Sequence, residues 1–298
     1  MPQRLSRYVD LPSATVNLRD YGGSGDLMVL VHGLGGSLAN WDVVAPRWAA
    51  RSRVLALDLP GFGLSPPGRD WALQTHAQAI VELIEHVGGP ALVVGNSMGG
   101  LLAEMVAADR PDLVSHLLLI SPATPPRLPD PNIDWPMARR LVINSTPGLG
   151  PAIARRLYSS MEPRDLIVES LERITHRSGR VPLELVDAFV AVARIRANFP
   201  WAPDAIPKTG QSIRRLFVRR SRFVRMIREI TAPTLVVQGI ADPIVSRNSV
   251  EWLCSLRPDW ALIQMEDTGH TPHIDAPMRF LSVVAPWLES RRKQEIGV

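Results

Sequence analysis

Cysteine is nearly missing from this chain: Cys254 stands alone among 298 residues. One thiol excludes an intrachain disulfide and supplies no cluster for a zinc site. Nothing then favours an oxidising compartment, so the cytoplasm is expected. Cys254 itself reads as a small buried apolar residue on a helix. Lysine is almost as scarce, with only Lys208 and Lys293 among 33 basic residues, so arginine carries the positive charge. No window approaches eighteen uninterrupted apolar residues, and Met1-Pro2-Gln3-Arg4 leads into no apolar stretch of signal length. Neither a membrane span nor a secretion signal is expected. Internal repeats and low-complexity segments are also absent. With 46% hydrophobic and 21% charged residues, the composition is that of a globular protein. Its length suits one large α/β domain, or such a domain carrying an insertion.

What is present alternates. "LMVLVHG", "RVLALDL", "ALVVGN", "HLLLIS", "TLVVQG" and "ALIQME" are short apolar runs without strict polar alternation. Such runs fit strands buried on both faces of a parallel sheet. Between them, "THAQAIVELIEHVG" repeats its apolar residues at helical spacing and closes on Gly88. "LLAEMVAADRP" does the same and stops at Pro111. The order implies a doubly wound, mostly parallel α/β sheet. "RYVDL" and "TVNLRDYG" alternate more and suit an antiparallel edge.

The rhythm breaks at "SPATPPRLPDP", with five prolines in eleven residues. From there to Glu229 the pattern is helical and Arg-rich, and the strands resume at "APTLVVQG". The expected division is a core at 1–124, a helical cap insertion at 125–229 and the rest of the core at 230–298. Residues 126–229 hold 19 basic against 10 acidic side chains, whereas the remainder carries a balance of −5. A solvated helical surface accounts for this. Weak peripheral contact with an anionic membrane is the alternative, through residues 211–230 read as one basic amphipathic helix. Nucleic acid is not expected as a partner, because no stacking aromatics interleave with the arginines.

The chemistry gathers where strands end. In Gly95-Asn96-Ser97-Met98-Gly99 a strand passes directly into a helix. A turn that abrupt leaves no room for side chains two residues either side of its apex, and it projects the apex hydroxyl above the sheet. Ser97 needs a base and an orienting acid beyond later strands. "TLVVQGIADPIV" offers Asp242 and "ALIQMEDTGHTPH" offers His270. His273 and Asp267 are the competitors for those two roles. His76, His86, His116 and His176 lack a partner motif and read as surface or capping residues. The backbone N–H groups of Leu34, in "VLVHGLGGS", and of Met98 are the expected donors to a developing oxyanion. His32 is expected to hold that loop by hydrogen bonding.

With "HGLGG", "DLPGFGLS", "GNSMGG", "GIADPIV" and "DTGHTPHIDAP" in place, the chain resembles the α/β-hydrolase fold superfamily. The likeness is to serine members with a helical cap inserted after the sixth strand, and it runs from about residue 27 to 288. The resemblance implies Ser97 as nucleophile, His270 as general base and Asp242 as its orienter, with no metal or cofactor. It also implies that "DLPGFGLS" shapes the pocket, with Trp41 as pocket wall or core. Ser97 argues against the epoxide- and halide-cleaving members, which use aspartate there. "GNSMGG" is similar to the hydrolases that split carbon–carbon bonds of ring-fission products. Those enzymes usually carry Trp-Ala-Gln after the histidine and Gly-Pro-Gly in the oxyanion loop, where this chain has Thr271-Pro272-His273 and Leu34-Gly35-Gly36-Ser37. Hydrolysis of carboxylic esters with small or medium apolar acyl groups is the expected activity, and carbon–carbon cleavage is the alternative.

Overall fold

A computed structural model describes residues 6–296, with side chains through Arg291. Eight strands form one sheet: β1 (Arg7–Asp10), β2 (Thr15–Gly22), β3 (Leu27–Val31), β4 (Arg53–Leu57), β5 (Ala91–Asn96), β6 (Val114–Ile120), β7 (Thr234–Gly239) and β8 (Ala261–Met265). Their spatial order is β1-β2-β4-β3-β5-β6-β7-β8. β1 and β2 pair antiparallel, β2 also meets β4 antiparallel, and every other pairing is parallel. All six apolar runs are strands, and the alternating pair at the start is the antiparallel edge. The chain reverses its direction of travel across the sheet between β3 and β5. In doubly wound sheets that switch point opens a crevice at the carboxyl ends of the strands.

Successive side chains of a strand face opposite ways, so each central strand feeds two cores. Val29, Val31, Val93, Leu117 and Leu119 face one layer, with α2 (Leu73–Val87), α3 (Met98–Asp109) and α10 (Arg247–Ser255). Met28, Leu30, Leu92, Val94, Leu118 and Ile120 face the other, with the short α1 (Ala45–Trp48) and the terminal α12 (Pro277–Ile296). Gly88 ends α2 in the left-handed region at φ 89°, as its place after the helical pattern implies.

Between β6 and β7 lie α4 (Trp135–Asn144), α5 (Leu149–Ser160), α6 (Pro163–Ile174), α7 (Leu183–Arg196), α8 (Ala202–Val218) and α9 (Arg220–Glu229), without a strand among them. This helical insertion is fastened to the sheet domain at several points. Leu171 of α6 and Leu185, Phe189 and Val190 of α7 pack on Ala39 and Ile274. Ser212 of α8 accepts the Leu73 N–H at 3.0 Å, closing the start of α2. Buried Arg196 donates to the carbonyls of Gly61 and Gly63 at 2.8 and 3.1 Å.

Two expectations need correction. Residues 211–230 form two helices, because Arg219 leaves helical geometry at φ −89°, ψ 56°. Phe223 and Ile227 of the second belong to the main core. Of the two places expected for Trp41, its burial fits the core, since it exposes no surface. It stacks on His273 with ring centroids 4.6 Å apart, in the core beneath the site. His76 and His116 are buried as well, and neither is a surface residue.

Desolvation holds His32 and His76 near pKa 4 and His273 near 3, against an ordinary 6.5. The unfolded chain therefore takes up these protons first. Stability present above pH 6.5 should be lost as pH falls toward 4, by up to about 1.4 kcal/mol per pH unit for each histidine. Denaturant titrations at neutral and mildly acid pH measure this slope, and His273→Gln should flatten it.

Candidate functional site

β5 stops at Asn96 and α3 starts at Met98, so Ser97 alone makes the turn, at φ 55°, ψ −117°. A side-chain-bearing residue there carries strain of roughly 1–3 kcal/mol. Backbone bonds hold it in place: its N–H donates to Ile120 O at 2.9 Å, and its carbonyl accepts from Ala123 N–H at 2.9 Å and Leu101 N–H at 3.1 Å. The neighbouring glycines make the turn sterically possible. A Cβ on Gly95 would lie 2.3 Å from Gly99 O, and one on Gly99 would lie 2.2 Å from Val31 O. Ser97 is partly exposed, unlike the residues on either side of it.

Asp242 and His270 follow the ends of β7 and β8. His270 Nδ1 lies 2.8 Å from Asp242 Oδ2, and both side chains are almost wholly buried. An ionised carboxylate only accepts, so Nδ1 carries the proton and Nε2 presents a lone pair. The other carboxylate oxygen is fixed by the N–H groups of Ile244 at 2.8 Å and Val245 at 3.0 Å. Ser97 Oγ makes no hydrogen bond to the imidazole. The two loops meet instead through Asn96, whose side-chain amide donates to His270 O at 3.3 Å and to Ile120 O at 3.1 Å.

The competitors are engaged elsewhere. Asp267 pairs with Arg177 and Arg180, each at 2.8 Å, and lies 3.1 Å from His176 Nε2. His273, between Trp41 and Phe280, has no hydrogen-bond partner on either ring nitrogen among the described residues.

Gly33 lies against the elbow, where an added Cβ would stand 3.2 Å from Ser97 Cβ. Leu34 follows it, and Met98 follows Ser97. Among the described residues, neither of these two N–H groups has an intramolecular acceptor. His32 ties the loop down as expected: Nδ1 lies 2.7 Å from Gly33 O, and Nε2 accepts the Leu59 N–H at 3.0 Å. Sequence reasoning missed the part played by Asp58. Its buried carboxylate accepts from Leu38 N–H at 2.6 Å, Leu64 N–H at 2.8 Å and the Asn17 amide at 2.7 Å, and burial raises its pKa. It thus locks "DLPGFGLS" to the segment that continues from the Leu34 loop.

From above, Ile206 of α8 presses on Gly35, where a Cβ would be 2.9 Å from its Cδ1. Two surface clefts of about 610 and 400 Å³ lie along α9 and among residues 70–72, the start of α5 and α8, and neither is lined by Ser97, Asp242 or His270. Among the described residues no three His, Cys, Asp or Glu side chains group as metal ligands.

A nucleophile-elbow turn at the switch point of such a sheet has a counterpart among known proteins: residues 28–283 match the model of the alpha/beta hydrolase family. The chain belongs to that family. It is 26% identical to the 2-(acetamidomethylene)succinate hydrolase of Mesorhizobium japonicum, over 96% of each chain. It is also 26% identical to a pimeloyl-(acyl-carrier protein) methyl ester esterase of Yersinia pestis, over 91% of this chain and 96% of that one. A meta-cleavage product hydrolase of Pseudomonas fluorescens shares the fold with a TM-score of 0.74 at 20% identity, across 97% of this chain and 99% of that one. The proteins it resembles thus include a methyl ester esterase in sequence and a meta-cleavage product hydrolase in fold.

The elbow should tolerate no β-carbon at residue 99. Gly99→Ala would drive a methyl group into Val31 O, and overpacking of this kind costs about 1–3 kcal/mol. Thermal unfolding should show the loss, whereas an alanine at Gly179, where the space is open, should change little.

Proposed function

We propose that this alpha/beta hydrolase is a serine esterase. It would cleave carboxylic esters of small to medium apolar acyl groups through an acyl-enzyme on Ser97. The observation that carries the reading is the buried, 2.8 Å His270–Asp242 pair, tied to the elbow by the Asn96 amide on His270 O. A hydroxyl is a poor nucleophile until a base takes its proton. His270 Nε2 takes it as Ser97 Oγ attacks the ester carbonyl, and Asp242 stabilises the resulting imidazolium. The carbonyl oxygen becomes an oxyanion and is met by the unspent N–H groups of Leu34 and Met98. As the tetrahedral species collapses, the proton on His270 passes to the leaving alkoxide. Water then repeats the sequence on the acyl-enzyme and returns the acid.

The acyl preference rests on Ile206, an apolar side chain packed against Gly35 beside the Leu34 donor. Carbon–carbon cleavage would use the same serine, and the ring-fission hydrolase with this fold keeps that reading in view. The composition of the loop after His270 weighs for the ester. His273, the third residue on, is enclosed in the core and offers no polar group to a substrate. A cytoplasmic setting accompanies the proposal, in keeping with the single cysteine.

A fluorophosphonate probe should label the wild-type protein and leave Ser97→Ala unlabelled. Against short nitrophenyl esters, loss of Ser97 or His270 should reduce kcat by on the order of 10⁶, and loss of Asp242 by roughly 10⁴. A coloured dienoate ring-fission product, assayed beside the ester panel, decides between the two bonds: faster turnover of the dienoate would overturn the esterase reading.

A further inference from the structure

The segment that presents His270 is gripped from outside the sheet domain. Residues 267–270 lie between the end of β7 and the turn that follows α6 of the helical insertion. On the β7 side, a Cβ at Gly239 would stand 2.1 Å from Gly269 O and 2.4 Å from Thr268 O. On the other side, a Cβ at Gly269 would stand 2.7 Å from His176 N and 2.8 Å from Ile174 O. Neither wall leaves room for a side chain, and the backbone bonds are equally specific. The His270 N–H donates to Ile174 O at 2.7 Å. Asp275, five residues beyond the histidine and only 2% exposed, accepts the Gly269 N–H at 2.6 Å and the His176 N–H at 2.8 Å on a single oxygen. Its other oxygen lies 3.4 Å from Arg177 N. Asp267, at the start of the segment, is held by Arg177 and Arg180.

We propose that Asp275 is a positioning residue for His270, clamping the peptide before the histidine to the insertion's 174–177 turn. The inference rests on the serine-hydrolase reading of Ser97. Buried backbone donors strongly favour a charged acceptor, and among the described residues no other side chain accepts the Gly269 or His176 N–H. The Asp242 bond fixes only the far edge of the ring. Where Nε2 points also depends on the backbone at 269–270, and a misplacement of about 1 Å in a reacting group can cost roughly 10²-fold in rate.

Asp275→Asn keeps the volume but turns one acceptor oxygen into a donor facing the turn's N–H groups. In the folded variant, fluorophosphonate labelling of Ser97 and kcat for a nitrophenyl ester should each fall about 10–100-fold. KM should stay within about threefold, because the group acts on the base and not on substrate contact. Hydrogen exchange should rise together in peptides covering 266–271 and 174–178, and nowhere in the sheet. Wild-type labelling and kcat in a folded Asp275→Asn would overturn the proposal. So would a loss that tracks the unfolded fraction, with exchange rising throughout. If the variant does not fold, the unaltered protein still decides, since independent opening of 266–271 and 174–178 would sink the clamp. Failure of the wild-type protein to label would instead remove the serine-hydrolase reading, while the exchange result would still report on the clamp.

Discussion

One backbone turn governs this structure: a non-glycine residue held at φ 55° between a strand and a helix. Such a conformation is unfavourable for a serine by itself and persists only where its surroundings over-determine it. Here the surroundings are main chain. Carbonyls and amides of β6 and the residues after it bond both sides of Ser97, and missing β-carbons at Gly95 and Gly99 let β3, the turn and α3 approach closely. The result is a hydroxyl and an adjacent N–H aimed out of the sheet where the strand order reverses. The Leu34 loop, at the end of β3, is the nearest neighbour that topology allows.

Around that turn, charge is deployed sparingly and locked in place. Three carboxylates do most of the locking, each accepting N–H groups from a different loop. Asp242 holds the imidazole and its own turn. Asp58 holds two segments beside the Leu34 loop. Asp275 joins the histidine segment to the helical insertion. A carboxylate suits this work because it accepts several hydrogen bonds and can join loops distant in sequence. The insertion is therefore more than a cover, since it touches the Leu34 loop through Ile206 and the histidine segment through Ile174 and His176. Both sides of the site feel where it sits.

Much of this was legible beforehand, for a physical reason. Apolar runs such as "LMVLV" and "ALVVG" can be satisfied only by burial on both faces, and they became β3 and β5. Gly-x-Ser-x-Gly between a strand and a helix is a local steric signature, so the elbow could be read within five residues. The places where reading failed are those decided by distant neighbours. Trp41 looked equally suited to pocket or core, and His273, 232 residues away, settled it by stacking on its ring. The helix over 211–230 kept its amphipathic pattern yet broke at Arg219.

The sequence by itself determined the layered α/β arrangement and the turn that places Ser97 between a strand and a helix, because those depend on local sterics and on hydrophobic period. Only the tertiary structure decided that Asp242 and not Asp267 meets His270, that Asn96 and Asp275 brace the histidine from two sides, and which residues of the insertion touch the site. Each of those depends on hydrogen-bonding groups brought within about 3 Å by the packing of whole layers, and no spacing along the chain encodes that distance.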